Sequence, residues 1–296
     1  MRVFVTGATG WVGSAVIKEL VTAGHEVLGL CRADDKEVAL KAAGAEVHRG
    51  SLGDLDSLRR GAAQADGVIH TAFNPDFARM AENGAQEQRA IEAIGAVLAG
   101  SSRPFVVTSG VALLAPGCVA TEETPLPLIT PFPRNPEAAT ATLAMQGVRA
   151  TVVRLPPSVH GHGDHGFIPR VISLARARSV SPYVGGGLNR WPAVHRLDAA
   201  RVYRLAVEAG AEGGPFHAVA DEGVPFKQIA EVIGRRLNVP VVSQSPEEAE
   251  LHFGWFGMFT GLDCPASSKT TRSQLGWAPQ QPGLIADLDH PAYFAQ

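Results

Sequence analysis

The chain has 296 residues, of which 45% are hydrophobic and 19% charged, so it can bury a large core and is not expected to be disordered. Its formal net charge of −3 gives no electrostatic reason to expect nucleic acid or an anionic membrane as a partner. Cys31, Cys118 and Cys264 are scattered and form neither a disulfide framework nor a metal motif, and no apolar run could span a membrane. We therefore expect a cytoplasmic α/β protein of one domain, or of one domain with a smaller appendage.

The first predicted element is a buried strand that leads into a glycine-rich turn. Val3–Val5 is an apolar run, residues 6–13 read T-G-A-T-G-W-V-G, and Ser14–Ala23 is predicted as a helix. In a strand–turn–helix unit the first glycine allows a tight turn. The second admits a pyrophosphate to the backbone N–H groups, and the third lets the helix pack closely. This pattern predicts a dinucleotide site with contacts from Gly7, Thr9, Gly10, Trp11, Val12 and Gly13.

Arg32 follows the second predicted strand, His25–Cys31. An acid after this strand would bind the ribose 2′-hydroxyl of NAD(H), whereas an arginine favours the 2′-phosphate of NADP(H). The sequence therefore predicts a preference for NADP(H), with NAD(H) as the alternative because Asp34 and Asp35 lie close by. Arg32 could also be an ordinary solvated side chain.

Strands and helices then alternate as far as residue 155. Strands are predicted at 45–48, 67–71, 104–109 and 150–155, and helices at 35–43, 55–63, 76–99 and 136–146. This alternation predicts a Rossmann-type, doubly wound parallel sheet with helices on both faces, while the proline-rich segment 111–133 is predicted as a loop. Further cofactor contacts are expected just after the strands, at Leu52, Thr71, Ala72, Phe73, Pro156 and Val159.

The pattern loosens after Leu155. Helices are predicted at 167–177, 198–209 and 226–237, an extended segment at 189–195, short strands at 215–219 and 241–243, and an aromatic helical stretch at 247–262. We expect a cofactor domain at 1–154, completed by about 191–210. Residues 155–190 and 211–296 are expected to form a substrate-binding region with a lid at 247–262. The predicted substrate contacts are Trp191, Phe253, Trp255, Phe256 and Phe259, although a buried helix face would explain the last four equally well.

Six segments in this order resemble the extended short-chain dehydrogenase/reductases. They are T-G-A-T-G-W-V-G at 6–13, V-I-H-T-A-F at 68–73, F-V-V-T-S at 105–109, R-L-P-P-S-V-H-G at 154–161, A-V-H-R-L-D at 193–198 and S-Q-L-G-W-A-P at 273–279. The resemblance implies a Rossmann fold, a nicotinamide cofactor, a small-molecule substrate and a monomer or homodimer.

The chain departs from this family at the catalytic motif, because no Tyr-x-x-x-Lys is present and residues 130–140 read T-P-F-P-R-N-P-E-A-A-T. The family's catalytic hydroxyl aligns with Gly110. Three alternatives stay open for the proton donor. These are Ser109 or Thr108 at the end of the fifth strand, a histidine of the H-G-H-G-D-H segment such as His160, and the substrate's own phenol. No metal site is predicted.

The predicted function is that of an NADPH-dependent ketoreductase acting on a hydrophobic substrate. The chain resembles ketoreductases that tailor aromatic polyketides of the angucyclinone type, which implies a role in antibiotic biosynthesis. One alternative is a non-catalytic NADP(H)-binding sensor, because the loss of Tyr and Lys would suit one. A third is a nucleotide-sugar epimerase or dehydratase, which is disfavoured because such enzymes use the missing tyrosine as a base.

Overall fold

The computed structural model describes residues 1–127 and 133–295. The strands are β1 (Arg2–Thr6), β2 (Glu26–Cys31), β3 (Glu46–Arg49), β4 (Gly67–His70), β5 (Phe105–Gly110), β6 (Ala150–Leu155), β7 (Ser158–His160), β8 (Ser181–Val184), β9 (Arg190–His195), β10 (Phe216–His217), β11 (Asp221–Pro225) and β12 (Val241–Gln244). The helices are α1 (Trp11–Thr22), α2 (Asp34–Ala42), α3 (Leu55–Ala63), α4 (Met80–Leu98), α5 (Pro136–Met145), α6 (Phe167–Arg178), α7 (Arg196–Glu208), α8 (Phe226–Leu237), α9 (Pro246–Phe253), α10 (Gly257–Thr260), α11 (Lys269–Leu275) and α12 (Leu284–Leu288).

Seven strands form one central sheet in the order β10-β6-β5-β4-β1-β2-β3, and every neighbouring pair is parallel. The strand order reverses between β1 and β4, so the helices connecting the strands lie on opposite faces on either side of this point. The prediction of a doubly wound parallel sheet is confirmed. Crevices at such a reversal, outside the carboxyl ends of the strands, are where ligands bind in open α/β sheets.

Strand β1 is at the centre of the sheet because its side chains are apolar on both faces. Val3 and Val5 pack into one core cluster with residues of α1 and α7, whereas Phe4 packs into another with residues of α3 and α4. All three are fully buried. Alternation of side chains across a pleated strand sends neighbours to opposite faces, and both faces of this sheet are covered.

The two clusters on the faces of the central sheet make up the first core. A second core, separate from it, is formed mainly by the C-terminal half of the chain. It joins residues of α6, α8 and α9 to the three-stranded sheet β11-β9-β7, with the rings of Trp191 and Phe226 5.0 Å apart. Strands β7, β8 and β11 and helices α11 and α12 were not predicted, because elements of three to seven residues carry too little periodicity to recognise.

Two predicted helices begin or end differently in the structure. The prediction of one helix over 76–99 is wrong in its first turn, since Phe77–Arg79 is a 3₁₀ turn and α4 begins at Met80. The helical stretch 247–262 is divided into α9, a 3₁₀ turn at Gly254–Phe256 and α10. Gly254, with φ of 59°, breaks the helix by adopting the left-handed region that glycine tolerates.

The predicted loop is irregular where the structure describes it, at 111–127, apart from an isolated bridge between Ala120 and Ala266. Residues 128–132 of that prediction lie outside the described residues. The seventh strand of the central sheet, β10, comes from the region predicted to bind substrate, while α7, from the return segment, packs against α1. The division into two regions stays a prediction. Among the described residues, no helix combines the length and the apolar character that crossing a membrane requires.

We predict that Gly13→Ala destabilises the protein by about 2 kcal/mol, the usual range for overpacking a tight contact. A Cβ atom at Gly13 would lie 2.0 Å from the backbone oxygen of Gly7, which cannot move without disturbing the turn. Urea unfolding followed by circular dichroism measures the change. Gly186→Ala is the matched control, because its Cβ would meet nothing nearer than Leu188 at 3.7 Å. Equal stability of the two variants would contradict this packing argument.

Candidate active site

Two adjoining cavities open at the carboxyl ends of the central strands. The first has a volume of about 540 Å³ and lies at the reversal of strand order. Eight predicted cofactor contacts line it: Gly7, Thr9, Gly10, Arg32, Leu52, Thr71, Ala72 and Phe73. The structure therefore brings together residues from the turns after β1, β2, β3 and β4. We refer to this space as the cofactor cleft.

The glycine turn leaves backbone N–H groups available to an anion at the start of α1. Gly10 is the N-cap, its N–H donates to Gly7 O at 2.8 Å, and the first helical bond runs from Ser14 N to Gly10 O. Within the described residues, the N–H groups of Trp11, Val12 and Gly13 have no partner, and no acid occupies the first turn. Three free donors at the positive end of a helix fit the pyrophosphate of a dinucleotide.

Trp11 and Val159 are joined to each other beside this turn. The indole Nε1 donates to Val159 O at 2.7 Å, and the guanidinium of Arg196 stacks 4.1 Å from the indole ring. Val12 and Val159 are half-buried against the core, and Pro156 is buried. These contacts fix the start of α1 relative to β7. The side chains of Trp11, Val12, Pro156 and Val159 lie outside the residues that line the cofactor cleft.

Arg32 lies in the cofactor cleft without a competing acid. It is exposed and makes no ion pair with any described residue. Asp34 pairs with Arg49, which also binds Glu37, and Asp35 lies 4.0 Å from Lys36. The two acids that could have opposed a phosphate are therefore already engaged with other cations.

The second cavity, the substrate cavity, is smaller and apolar, with a volume of about 250 Å³. Phe73 lines both cavities, so they share a wall. The described lining residues are mostly hydrophobic. They come from the ends of β4 and β5, from the 3₁₀ turn and start of α4, from the loop 111–127, from the start of α5 and the residues before it, and from α6 and α10. They are Phe73, Phe77, Met80, Ser109, Gly110, Ala112, Leu113, Leu114, Leu126, Pro127, Arg134, Asn135, Pro136, Phe167 and Phe259.

The predicted substrate contacts take three different positions. Phe259 lines the substrate cavity, and Trp255 is 51% exposed with its ring 4.4 Å from that of Phe77, another lining residue. Trp191, Phe253 and Phe256 instead lie in the second core, and the indole N–H of Trp191 donates to Phe259 O at 3.0 Å. These three side chains support the cavity wall from behind and do not line it.

Ser109 is engaged in a buried ion-pair network. Its hydroxyl donates to Glu137 Oε1 at 2.6 Å, and Arg154 donates to both oxygens of Glu137 at 2.9 and 2.8 Å. Both charged side chains are almost fully buried. A serine proton held by a carboxylate is poorly placed to move to a substrate oxygen.

Thr108 is likewise engaged within the protein. Its hydroxyl donates to His70 O at 2.8 Å and accepts from the hydroxyl of Tyr203 at 2.8 Å. Burial, with a contribution from Arg134, lowers the pKa of His70 to about 3, and burial raises the pKa of Tyr203. His70 and Tyr203, the two side chains beside the Thr108 hydroxyl, are therefore neutral near pH 7.

His160 lies away from both cavities and is fully buried. Its Nδ1 is 2.8 Å from Asp287 Oδ2, which also accepts from the Tyr293 hydroxyl at 2.7 Å. This arrangement holds the C-terminal segment against β7. Within the described part of the chain, no group of three or more His, Cys, Asp or Glu side chains is arranged to hold a metal ion.

Two charged groups were not predicted, one that lines the substrate cavity and one behind the lining residue Ser109. Glu137 and Arg134 lie in the segment where Tyr-x-x-x-Lys is missing, and neither carries a recognisable motif. Arg134 donates to Glu87 from Nε at 2.8 Å and from Nη2 at 2.6 Å. The sequence showed only that residues 134 and 137 are charged and that they lie in a proline-rich segment.

Comparisons with known proteins identify the family of the chain. Residues 3–220 match the NAD dependent epimerase/dehydratase family. The chain is 50% identical to the uncharacterized protein C2A9.02 of Schizosaccharomyces pombe over 99% of this chain and 100% of that protein. It is 30% identical to the 4-hydroxy-2-methyl-3-oxo-4-farnesyl-3,4-dihydroquinoline-1-oxide ketoreductase of Stigmatella aurantiaca, over 90% of this chain and 84% of the relative.

A solved structure supports the fold. The UDP-glucose 4-epimerase of Thermotoga maritima with UDP-glucose superposes with a TM-score of 0.72 at 19% identity, over 99% of this chain and 98% of that chain. The protein therefore belongs to the NAD dependent epimerase/dehydratase family, within the extended short-chain dehydrogenase/reductases. It is accordingly an NAD(P)-dependent enzyme of the class that acts on C=O and CH–OH groups, as its sequence predicted.

We predict that Ser109→Ala lowers the free energy of unfolding by about 2 kcal/mol, because a buried hydrogen bond to a carboxylate is lost. Urea unfolding measures the stability, and NADPH consumption under saturating carbonyl substrate measures kcat. We expect kcat to stay within about threefold of wild type, since a single proton-donating group normally contributes 10²–10⁴-fold. A hundredfold loss of kcat would make Ser109 the donor.

Proposed function

We propose that this protein is an NADPH-dependent ketoreductase that reduces a carbonyl of a neutral, hydrophobic substrate, with an aromatic polyketide-type ketone as the best fit. The observation that supports this most directly is the shared wall of the two cavities. A cleft suited to a dinucleotide adjoins an apolar cavity through Phe73, so a carbonyl in the second space would lie next to a cofactor in the first.

The reaction divides between the cofactor and the chain. The bound nicotinamide supplies the hydride. The chain's own residues hold the dinucleotide through the free N–H groups at the start of α1, and Arg32 is the group that would bind a 2′-phosphate. The apolar side chains of the substrate cavity exclude water and orient a flat, hydrophobic ketone beside Phe73.

The relative from Stigmatella aurantiaca supports the substrate class. Its name describes a ketoreductase whose substrate is a 3-oxo-3,4-dihydroquinoline, a system of two fused rings, that carries a farnesyl chain. A cavity lined by Phe73, Phe77, Phe167 and Phe259 would suit a ring of this kind. The hydroxyls of Ser109 and Thr108 are occupied, so the proton would come from water or from a hydroxyl of the substrate itself.

A nucleotide-sugar epimerase is the second candidate, because an enzyme of that activity shares the fold. Its substrate carries a diphosphate, which needs cations. Among the described residues that line the substrate cavity, Arg134 alone is charged, and its charge is balanced by Glu87. No tyrosine lines the described part of this cavity to serve as the base. The lining therefore favours the ketoreductase.

We predict NADPH oxidation with at least one ketone in a panel of one- and two-ring aromatic ketones, and no conversion of UDP-glucose to UDP-galactose. Absorbance at the nicotinamide band follows the first reaction and chromatography the second. Ala112→Phe should raise KM for the ketone about tenfold or more, since extra carbon atoms in a fitted pocket change affinity by 10–200-fold.

The matched control for Ala112→Phe is Ala144→Phe on the exposed face of α5, which should leave KM unchanged. The cofactor dissociation constant should be the same in all three proteins. NADPH binding without oxidation by any ketone would instead identify a sensor and overturn the proposal.

We predict that Arg32→Ala raises KM for NADPH about tenfold or more and leaves KM for NADH within about twofold, because a charge-assisted contact to the 2′-phosphate is lost. Steady-state kinetics with both cofactors measure the change. Arg60→Ala, an exposed arginine on α3, is the control and should alter neither constant. Equal losses with NADPH and NADH would remove Arg32 from the phosphate site.

A further inference from the structure

Arg134 is the one charged side chain among the described residues that line the substrate cavity. Its guanidinium lies 4.3 Å from the ring centroid of Phe73, the residue common to both cavities. A positive charge therefore lies at the junction of the substrate cavity and the cofactor cleft, in a space otherwise formed mainly by hydrocarbon. Electrostatic interactions are stronger in such a place than in water.

The guanidinium is held in one orientation by four contacts. Nε and Nη2 form a bidentate pair with Glu87, Nη2 also donates to Thr108 O at 3.1 Å, and the plane stacks on Phe73. Thr108 lies at the end of β5 and Glu87 within α4, so two rigid elements position the group. A donor fixed before the reaction needs no reorganisation when charge develops.

Nη1 is the guanidinium nitrogen of Arg134 that takes no part in these contacts. Within the described residues it makes no hydrogen bond, and it is not among the enclosed, unpartnered polar atoms of the structure. Its N–H groups are therefore not enclosed by protein, and they belong to a side chain that lines the substrate cavity. Two other polar lining groups are engaged, since the Ser109 hydroxyl donates to Glu137 and Asn135 Oδ1 caps α5 by accepting from Ala138 N.

The charges around Arg134 cancel before a substrate reacts. Glu87 is almost fully buried and balances the guanidinium, and His70 and Tyr203 are neutral near pH 7. The site as a whole carries no net charge, so a neutral carbonyl compound can enter without meeting an unbalanced charge. An arrangement that binds a neutral carbonyl but stabilises an oxyanion better acts on the transition state, which is the condition for catalysis.

We propose that Arg134 is a catalytic residue that binds the substrate's carbonyl oxygen through Nη1 and stabilises the alkoxide formed on reduction, in place of the absent tyrosine. This inference rests on the proposed ketoreductase function. A hydride from NADPH forms the new C–H bond, the π electrons of the carbonyl move to oxygen, and NADP⁺ is left. The alkoxide then takes a proton from water, releasing hydroxide, while the guanidinium keeps all of its protons.

The test uses the whole chain, one charge-balanced double variant and a control variant. Arg134→Met alone would leave Glu87 as an unpaired buried acid, so the principal variant is the pair Glu87→Gln with Arg134→Met, which removes both charges together. Arg89→Met, an exposed arginine on the same helix as Glu87, is the control. With an aromatic ketone that the wild type reduces, the double variant should lose about 10²-fold in kcat, with a smaller change in KM.

The second readout does not depend on turnover. 4-Nitrophenol mimics the alkoxide when ionised, and its absorbance reports ionisation directly. We expect the pKa of the bound phenol to fall by about one unit or more in the wild type and to be unshifted in the double variant. Glu87→Gln alone should lower it further than in the wild type, because the guanidinium is then no longer neutralised.

The outcomes separate the two proposals. Ketone reduction at the wild-type rate by the double variant would overturn the role of Arg134 and leave the ketoreductase standing. A nitrophenol pKa that is the same in wild type and double variant, including the absence of binding by both, would also overturn it. A wild type that reduces no ketone but still shifts the nitrophenol pKa would overturn the ketoreductase and support oxyanion binding at Arg134.

Discussion

The buried ion pair between Glu137 and Arg154 is the interaction on which the catalytic end of the sheet depends. It joins α5 to β6, and it reaches β5 through the hydroxyl of Ser109. Arg154 Nη1 also lies 3.2 Å from His217 Nε2 in β10 and donates to Thr124 O in the loop. Breaking such a pair would leave an uncompensated charge in the interior, at a cost of about 3–5 kcal/mol.

The ion pair and the hydrogen bonds around it determine which side chains are free to take part in the reaction. Because the Ser109 hydroxyl donates to Glu137, the hydroxyl nearest the family's catalytic position stabilises the fold. Thr108 is bound to His70 and Tyr203 in the same way. In other members of the family, the segment that corresponds to 130–140 carries the tyrosine and the lysine. In this chain the same segment carries Arg134 and the first residues of α5. Stabilisation of a developing negative charge by a fixed cation would then replace proton donation by a tyrosine.

The aromatic residues show where sequence patterns stop being informative. Phe253, Phe256 and Phe259 fit either a ligand wall or a buried helix face, and Trp191 was predicted to face the same cleft. The structure separates them, with Phe259 lining the substrate cavity and the other three packed behind it. Hydrophobicity is the same in both cases, so only the three-dimensional path of the chain could distinguish a side chain that faces a cavity from one that faces the core.

The sequence by itself determined the fold class and the cofactor end of the protein, because both depend on local signals. Periodicity within β1 to β6 and the glycines at 7, 10 and 13 act over a few residues, and the structure confirms the strand–turn–helix unit. Tertiary structure alone decided the polar site. Arg134 and Glu87 are 47 residues apart and Glu137 and Arg154 are 17 apart. Such pairs form only when the sheet brings the ends of separate strands and helices together, and no spacing along the chain specifies which charges will meet.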